Sequence, residues 1–136
     1  QCCVVAIDAR KRPDTAAEDL IWDVLVQGGR KNTGMDAFEW AKTCVENGAG
    51  EILLTSWDRD GTEEGFDISM VRQFSDNLPV PVIASGGAQG PASFIEVFHE
   101  GHADAALAAT IFHDGRWTAN KLKEEIRKAK IAVRTC

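Results

Sequence analysis

Glu51-Ile52-Leu53-Leu54-Thr55-Ser56-Trp57-Asp58-Arg59-Asp60-Gly61-Thr62 reads as an apolar strand that ends abruptly in acidic residues and a glycine. In a parallel α/β protein the carboxyl ends of the strands form the binding face, so these carboxylates are placed to line a site. Asp-Arg-Asp-Gly is also ordinary turn chemistry, because Asp and Gly adopt turn geometry at little cost. Recurrence favours the site. Cys2-Cys3-Val4-Val5-Ala6-Ile7 is a second short apolar run, and it stops at Asp8. Val82-Ile83-Ala84-Ser85 stops at Gly86-Gly87, and the small-residue stretch Ala103 to Ala109 stops at Thr110. Near-continuous apolar runs are those of strands buried on both faces, as in parallel sheets.

The segments between these runs read as helices. Thr33 with Asp36 suits a helix start, and Phe38, Ala41 and Val45 then form an apolar stripe that Gly48 and Gly50 close. Asp67 caps a second helix with Met70, Val71 and Phe74 on one face, and Pro91 opens a third with Phe94, Ile95 and Phe98 inward. Thr118 caps a last helix, with Leu122 and Ile126 inside and a Glu124/Lys128 pair outside. Between Asp8 and the first helix lies a long excursion. Its part from Leu20 to Val26, ending in Gly28-Gly29, reads as a β-hairpin or a flexible lid. Four strand-helix units imply a parallel sheet. A (β/α)8 barrel needs eight such units and roughly 250 residues, so the chain is either an open α/β sheet or half a barrel.

With 136 residues, 44% hydrophobic and 26% charged, residues 1–136 are expected to form one globular domain. A net charge of −6 argues against nucleic acid or an anionic membrane as partner. No apolar run approaches the ~20 residues of a membrane span and no signal peptide is legible, so the cytoplasm is the expected location. Cys2, Cys3 and Cys44 read as buried apolar residues, and His102 as a solvated loop residue. Neither they nor His99 and His113 show ligand spacing, so no metal is expected.

The four strand ends share one face. Asp8 and the Thr55 to Asp60 segment bring carboxylates, whereas Ser85-Gly86-Gly87 and Ala109-Thr110 bring hydroxyls and backbone NH groups. Gly86-Gly87 allows close backbone approach to an anion or simply makes a tight turn. With Ala109-Thr110 opening a short helix, a phosphate site is the better reading. Asp8 stands at the rim of a partly dry pocket, where a carboxylate works as acid or base or braces the loop beside Arg10. Of Asp58 and Asp60, strand alternation points only one to the centre, and Asp60 is preferred. The four tryptophans are expected in core or rim packing.

Ala6-Ile7-Asp8-Ala9-Arg10, Gly48-Ala49-Gly50-Glu51-Ile52-Leu53-Leu54-Thr55-Ser56, Asp58-Arg59-Asp60-Gly61-Thr62, Val82-Ile83-Ala84-Ser85-Gly86-Gly87-Ala88 and Ala106-Leu107-Ala108-Ala109-Thr110-Ile111-Phe112-His113 stand in this order. Together they resemble the C-terminal half of HisF, the cyclase subunit of imidazole glycerol phosphate synthase, over essentially the whole chain. The sugar isomerase HisA shares the Asp-Gly-Thr and Ser-Gly-Gly elements. Gly-Ala-Gly-Glu-Ile-Leu-Leu-Thr-Ser and Ala-Ala-Thr-Ile-Phe-His look like the cyclase.

The resemblance implies a (β/α)4 half of a TIM barrel and a place in histidine biosynthesis. HisF-like proteins take ammonia from a glutaminase partner and use it on a bis-phosphorylated ribulosyl aminoimidazole. The products are imidazole glycerol phosphate and an aminoimidazole carboxamide ribotide, and no cofactor is needed. By resemblance Asp8 is the catalytic acid/base and Asp60 a supporting active-site aspartate. Thr55 and Ser85 accompany Gly86, Gly87, Ala109 and Thr110 in the substrate and phosphate site, with Thr110 in place of the usual Ser. Glu51, at the opposite strand end, matches one member of the charged gate through which ammonia enters. The family's other catalytic aspartate and second phosphate site belong to its first half, so the missing part is N-terminal and cyclase activity of this chain alone is expected to be weak or absent. The loop from Lys11 to Asp19 looks longer than usual for the family. Two exposed outer strands and an apolar inner face imply association, either with an N-terminal half or as a homo-oligomer. A non-catalytic phosphate-binding half-barrel and a HisA-like isomerase fragment are the alternatives.

Overall fold

The computed structural model describes residues 3–13 and 20–134. Cys2 and most of the Lys11 to Asp19 loop lie outside these residues. Strands β1 (Val4–Lys11), β4 (Glu51–Ser56), β5 (Val82–Ser85) and β6 (Ala105–Leu107) pair in parallel. Strands β2 (Trp22–Val26) and β3 (Lys31–Asp36) form an antiparallel hairpin, giving one six-stranded sheet in the order β3-β2-β1-β4-β5-β6. Helices α1 (Ala37–Glu46), α2 (Ile68–Asn77), α3 (Pro91–His99), α4 (Thr110–His113) and α5 (Ala119–Lys128) fill the connections. Four parallel strand-helix units are half of a (β/α)8 barrel.

Strand alternation divides the side chains into two sets. Ile7, Ile52, Leu54, Val82 and Ala84 point to the helix side and are almost fully buried. Ile7, Ile52, Leu54 and Val82 pack with Met70 and Phe74 of α2, and Phe38 of α1 meets Phe74 edge-on at 5.3 Å. A second cluster joins Ala84 to Val71, Phe94, Val97, Leu122 and Ile126 beneath α3 and α5. The opposite face carries Val4 and Leu107, both exposed, with Leu53 and Ile83 half-buried. In a complete barrel that face would be the filled interior.

The β1 edge departs from expectation. Strand β2 covers it from Asp8 to Lys11, so among the described residues only β6 and β3 are outer strands of the sheet. The hairpin is held by a buried carboxylate: Asp23 accepts hydrogen bonds from Arg12 Nε (2.8 Å) and Nη2 (2.6 Å) and from Asn32 Nδ2 (2.9 Å). Its tip is seated on the sheet by Trp57, whose ring lies where a side chain at Gly29 would project. Trp22 is buried and donates its Nε1–H to Asp67.

Five local expectations are corrected. Asp36 itself caps α1, accepting from the backbone N–H of Phe38 and Glu39. Thr33 lies in β3 and donates its hydroxyl to Val24 O. Strand β6 is only three residues long, because the backbone at Ala109 has already turned to enter α4. Lys128 pairs with Glu125 at 2.6 Å rather than with Glu124. His102 is not merely solvated, since its Nδ1 stands 2.6 Å from Asp76 Oδ1. Of the cysteines expected inside, Cys44 is half-buried and Cys3 is exposed.

Candidate functional site

Parallel pairing sets the site's first row. Asp8 is in register with Thr55, Thr55 with Ser85, and Ser85 with Leu107. Partners in register point to the same face, so these four side chains form one rung across the last level of the sheet. Asp8 and Thr55 are half-buried, Ser85 is buried and Leu107 is exposed. Strands β5 and β6 end at this rung and β4 one residue beyond it, whereas β1 runs on to Lys11 against β2.

Above this rung three connections converge. After Ser56 the chain turns tightly, with the N–H groups of Arg59 and Asp60 donating to Ser56 O at 3.3 and 2.9 Å. Gly86 and Gly87 follow β5 with φ of 95° and 90°, a region that strongly favours glycine. A Cβ on Gly86 would lie 2.7 Å from Ser56 O, and one on Gly87 would collide with Gly65 O. The two glycines therefore let the β5 connection press against the β4 connection, and Gly65 N–H donates to Gly87 O at 2.8 Å. A pocket of about 50 Å³ remains between them. Its walls are Asp60, Gly61 and Glu63 from one connection and Ser85, Gly86, Gly87 and Ala88 from the next. Leu107, Ala108, Ala109 and Thr110 close the third side.

Electrostatics single out Asp8. Burial raises its pKa above the ordinary carboxylate value, and the nearby charge of Asp60 raises it further. Asp58 turns the other way: its Oδ2 accepts from Lys11 N–H at 2.7 Å and its Oδ1 lies 3.9 Å from Arg10 Nε. It braces β1 against the turn, whereas Asp60 lines the pocket. Glu51 begins β4, four residues from Thr55, so it lies about 13 Å away at the other end of the sheet. Among the described residues no three His, Cys, Asp or Glu side chains gather as metal ligands would.

The model of the family described as histidine biosynthesis protein matches residues 1–118. The chain belongs to the histidine biosynthesis protein family. Within that family it is 50% identical over 134 residues to the imidazole glycerol phosphate synthase subunit HisF of Synechococcus sp., an alignment covering 98% of this chain and 52% of the relative. The same subunit of Prochlorococcus marinus is 51% identical over 134 residues, covering 98% and 51% respectively. The chain spans about half the length of the curated relatives it matches. Four βα units and half a family member's length agree.

Sequence reasoning gathered Asp60, Ser85, Gly86, Gly87, Ala109 and Thr110, and all six line one pocket. Gly61, Glu63, Ala88, Leu107 and Ala108 line it as well, without having been expected there. Leu107 was detectable from strand register with Ser85, had the short strand been delimited. Glu63 has a φ of 57°, unusual for a residue with a side chain, and no neighbouring residue type signals that it turns into the pocket wall.

Proposed function

We propose that residues 1–136 act as one domain, the C-terminal half of a HisF-type cyclase barrel, and contribute an acid/base carboxylate and one phosphate site to an active centre completed by an N-terminal half. The rung Asp8–Thr55–Ser85–Leu107, standing beneath the glycine-lined pocket, carries this reading. The pocket is lined by Gly86 and Gly87, which carry no side chain, and by the hydroxyl-bearing residues Ser85 and Thr110. Asp8, with its raised pKa, holds or releases a proton closer to neutrality than an exposed carboxylate does. Asp60 supports it by charge. The reaction proposed for the completed barrel is the ammonia-dependent cyclisation and cleavage of a bis-phosphorylated ribulosyl aminoimidazole, in the cytoplasm. Glu51, at the opposite strand end, would then face an ammonia-supplying glutaminase.

The test combines this chain with the N-terminal half of a HisF relative and measures turnover with ammonium ions. Activity should appear only in the mixture, and Asp8→Asn should reduce it about a hundredfold or more. Unchanged turnover in Asp8→Asn removes the acid/base assignment.

A second reading has its own support. Val4 and Leu107 are exposed on a sheet face that also carries Ala6, Leu53, Ile83 and Ala105, and such a patch marks an association surface. The chain would then be a phosphate-binding half-barrel that self-associates through this face without catalysis. Sedimentation with and without the N-terminal half separates the two. A monomer that ignores the other half contradicts both.

A further inference from the structure

The pocket has an unexpected wall for an anion site. Two acidic residues, Asp60 and Glu63, line it together with the glycines. Glu63 is held there in the left-handed region, at φ 57°, where a residue with a side chain needs outside restraint. Its side chain has a partner. Arg116 Nη1 lies 2.7 Å from Glu63 Oε2. Arg116 is itself fixed by Asp114, whose carboxylate accepts from Arg116 N–H at 3.0 Å and from Nε at 2.5 Å. Hydrogen bonds to Glu63 and then Asp114 strengthen the guanidinium's hold on its proton.

The bridge spans two of the three connections around the pocket. Glu63 belongs to the β4 connection and Arg116 to the segment between α4 and α5. On its other side the β4 connection is tied to the glycine turn through Gly65 N–H and Gly87 O. The adjacent carboxylate, Glu64, is taken separately by Arg59 at 3.2 Å. The acidic pair Glu63-Glu64 is thus divided between two arginines, and the one facing the pocket belongs to Arg116.

We propose that Arg116 is a positioning and specificity residue of the pocket: it pairs with Glu63, removes that charge from the wall, and thereby admits a phosphate group. Without Arg116, Glu63 would confront a phosphate dianion at short range with no partner. The inference rests on the phosphate reading of the pocket and adds to it the residue that makes a carboxylate-walled site acceptable to an anion.

The probe is inorganic phosphate, titrated into the full 136-residue chain and followed through the Gly86 and Gly87 amide signals by NMR. Arg116→Met should weaken binding about three- to tenfold. Adding Glu63→Gln to it should restore affinity to within about twofold of the wild type, a rescue that loss of a merely structural contact would not give. The swapped pair Glu63→Arg/Arg116→Glu keeps the bridge and places the cation in the wall, so it should bind at least as tightly as the wild type. Unchanged affinity in Arg116→Met, no rescue in the double variant, or weaker binding by the swapped pair overturns the proposal, the last even if Arg116→Met fails to fold. A wild-type chain that binds no phosphate in the millimolar range removes the phosphate reading and the proposal together. Wild-type binding with unresponsive variants removes the proposal alone.

Discussion

Asp60 acts on Asp8 across the end of the sheet: burial raises the pKa of Asp8, and the negative charge of Asp60 raises it further. One carboxylate comes from a strand in register with Thr55, and the other from the turn that follows β4. A rise of this kind is how a carboxylate is kept available for proton transfer. Asp60→Asn should lower the Asp8 pKa part of the way, leaving the rise that burial causes. A carboxyl-carbon NMR titration reads this directly, and an unmoved midpoint would show that the two charges do not interact.

The same shift makes Asp8 a cost to folding. Its pKa in the folded chain lies above the unfolded value of about 3.9, so folding favours the protonated form. That contribution is complete below about pH 3.9 and is lost as pH rises through the folded value. Asp8→Asn should therefore raise the thermal midpoint at pH 7 while changing it little at pH 3. A lower midpoint at pH 7 would mean that the carboxylate braces the loop rather than serving the site.

Asp23 should behave in the opposite sense. Burial alone would raise its pKa, but the hydrogen bonds from Arg12 and Asn32 outweigh that and hold it below the ordinary carboxylate range. Its contribution is present above the unfolded pKa and disappears as pH falls through the folded one. Asp23→Asn should destabilise the chain at pH 6, and the gap from the wild type should narrow below about pH 4. Melting curves at several pH values test it. A gap that stays constant with pH would assign the effect to shape and not to charge.

Gly87→Ala should be severe for its size. The φ of 90° costs a side-chain-bearing residue about 1–3 kcal/mol, and the new methyl meets Gly65 O. Urea unfolding should show at least that loss, and phosphate binding should fail because the β4 connection is pushed from the pocket. Stability within about 0.5 kcal/mol of the wild type would mean that the turn rearranges freely.

Thiol reactivity offers a check on the other end of the sheet. Cys3 is exposed, whereas burial, and after it the neighbouring Cys3, pushes the Cys44 thiol up from its usual value. The thiolate is the species that reacts. At pH 8 iodoacetamide should label Cys3 well before Cys44, as followed by fragment-ion mapping of the peptides. Equal rates would contradict the packing of Cys44, on α1, against the core.

The sequence alone determined the strand-helix alternation, the four apolar runs and the polar residues that terminate them. Burial on both faces demands continuous apolar runs, and turn residues must stop them, so these features are written locally. It also carried most of the pocket, because Ser85-Gly86-Gly87 and Ala109-Thr110 follow their strands directly. Only the tertiary structure decided three things. The hairpin lies along β1 because Arg12 and Asn32 satisfy the buried carboxylate of Asp23, which lies between them in sequence. Asp60 rather than Asp58 lines the pocket because Lys11 and Arg10 turn Asp58 away. Glu63, in the wall with a φ of 57°, finds its ion-pair partner in Arg116, more than fifty residues later. Hydrogen-bond and charge pairing between distant residues leaves no local pattern, and only the folded chain brings those partners together.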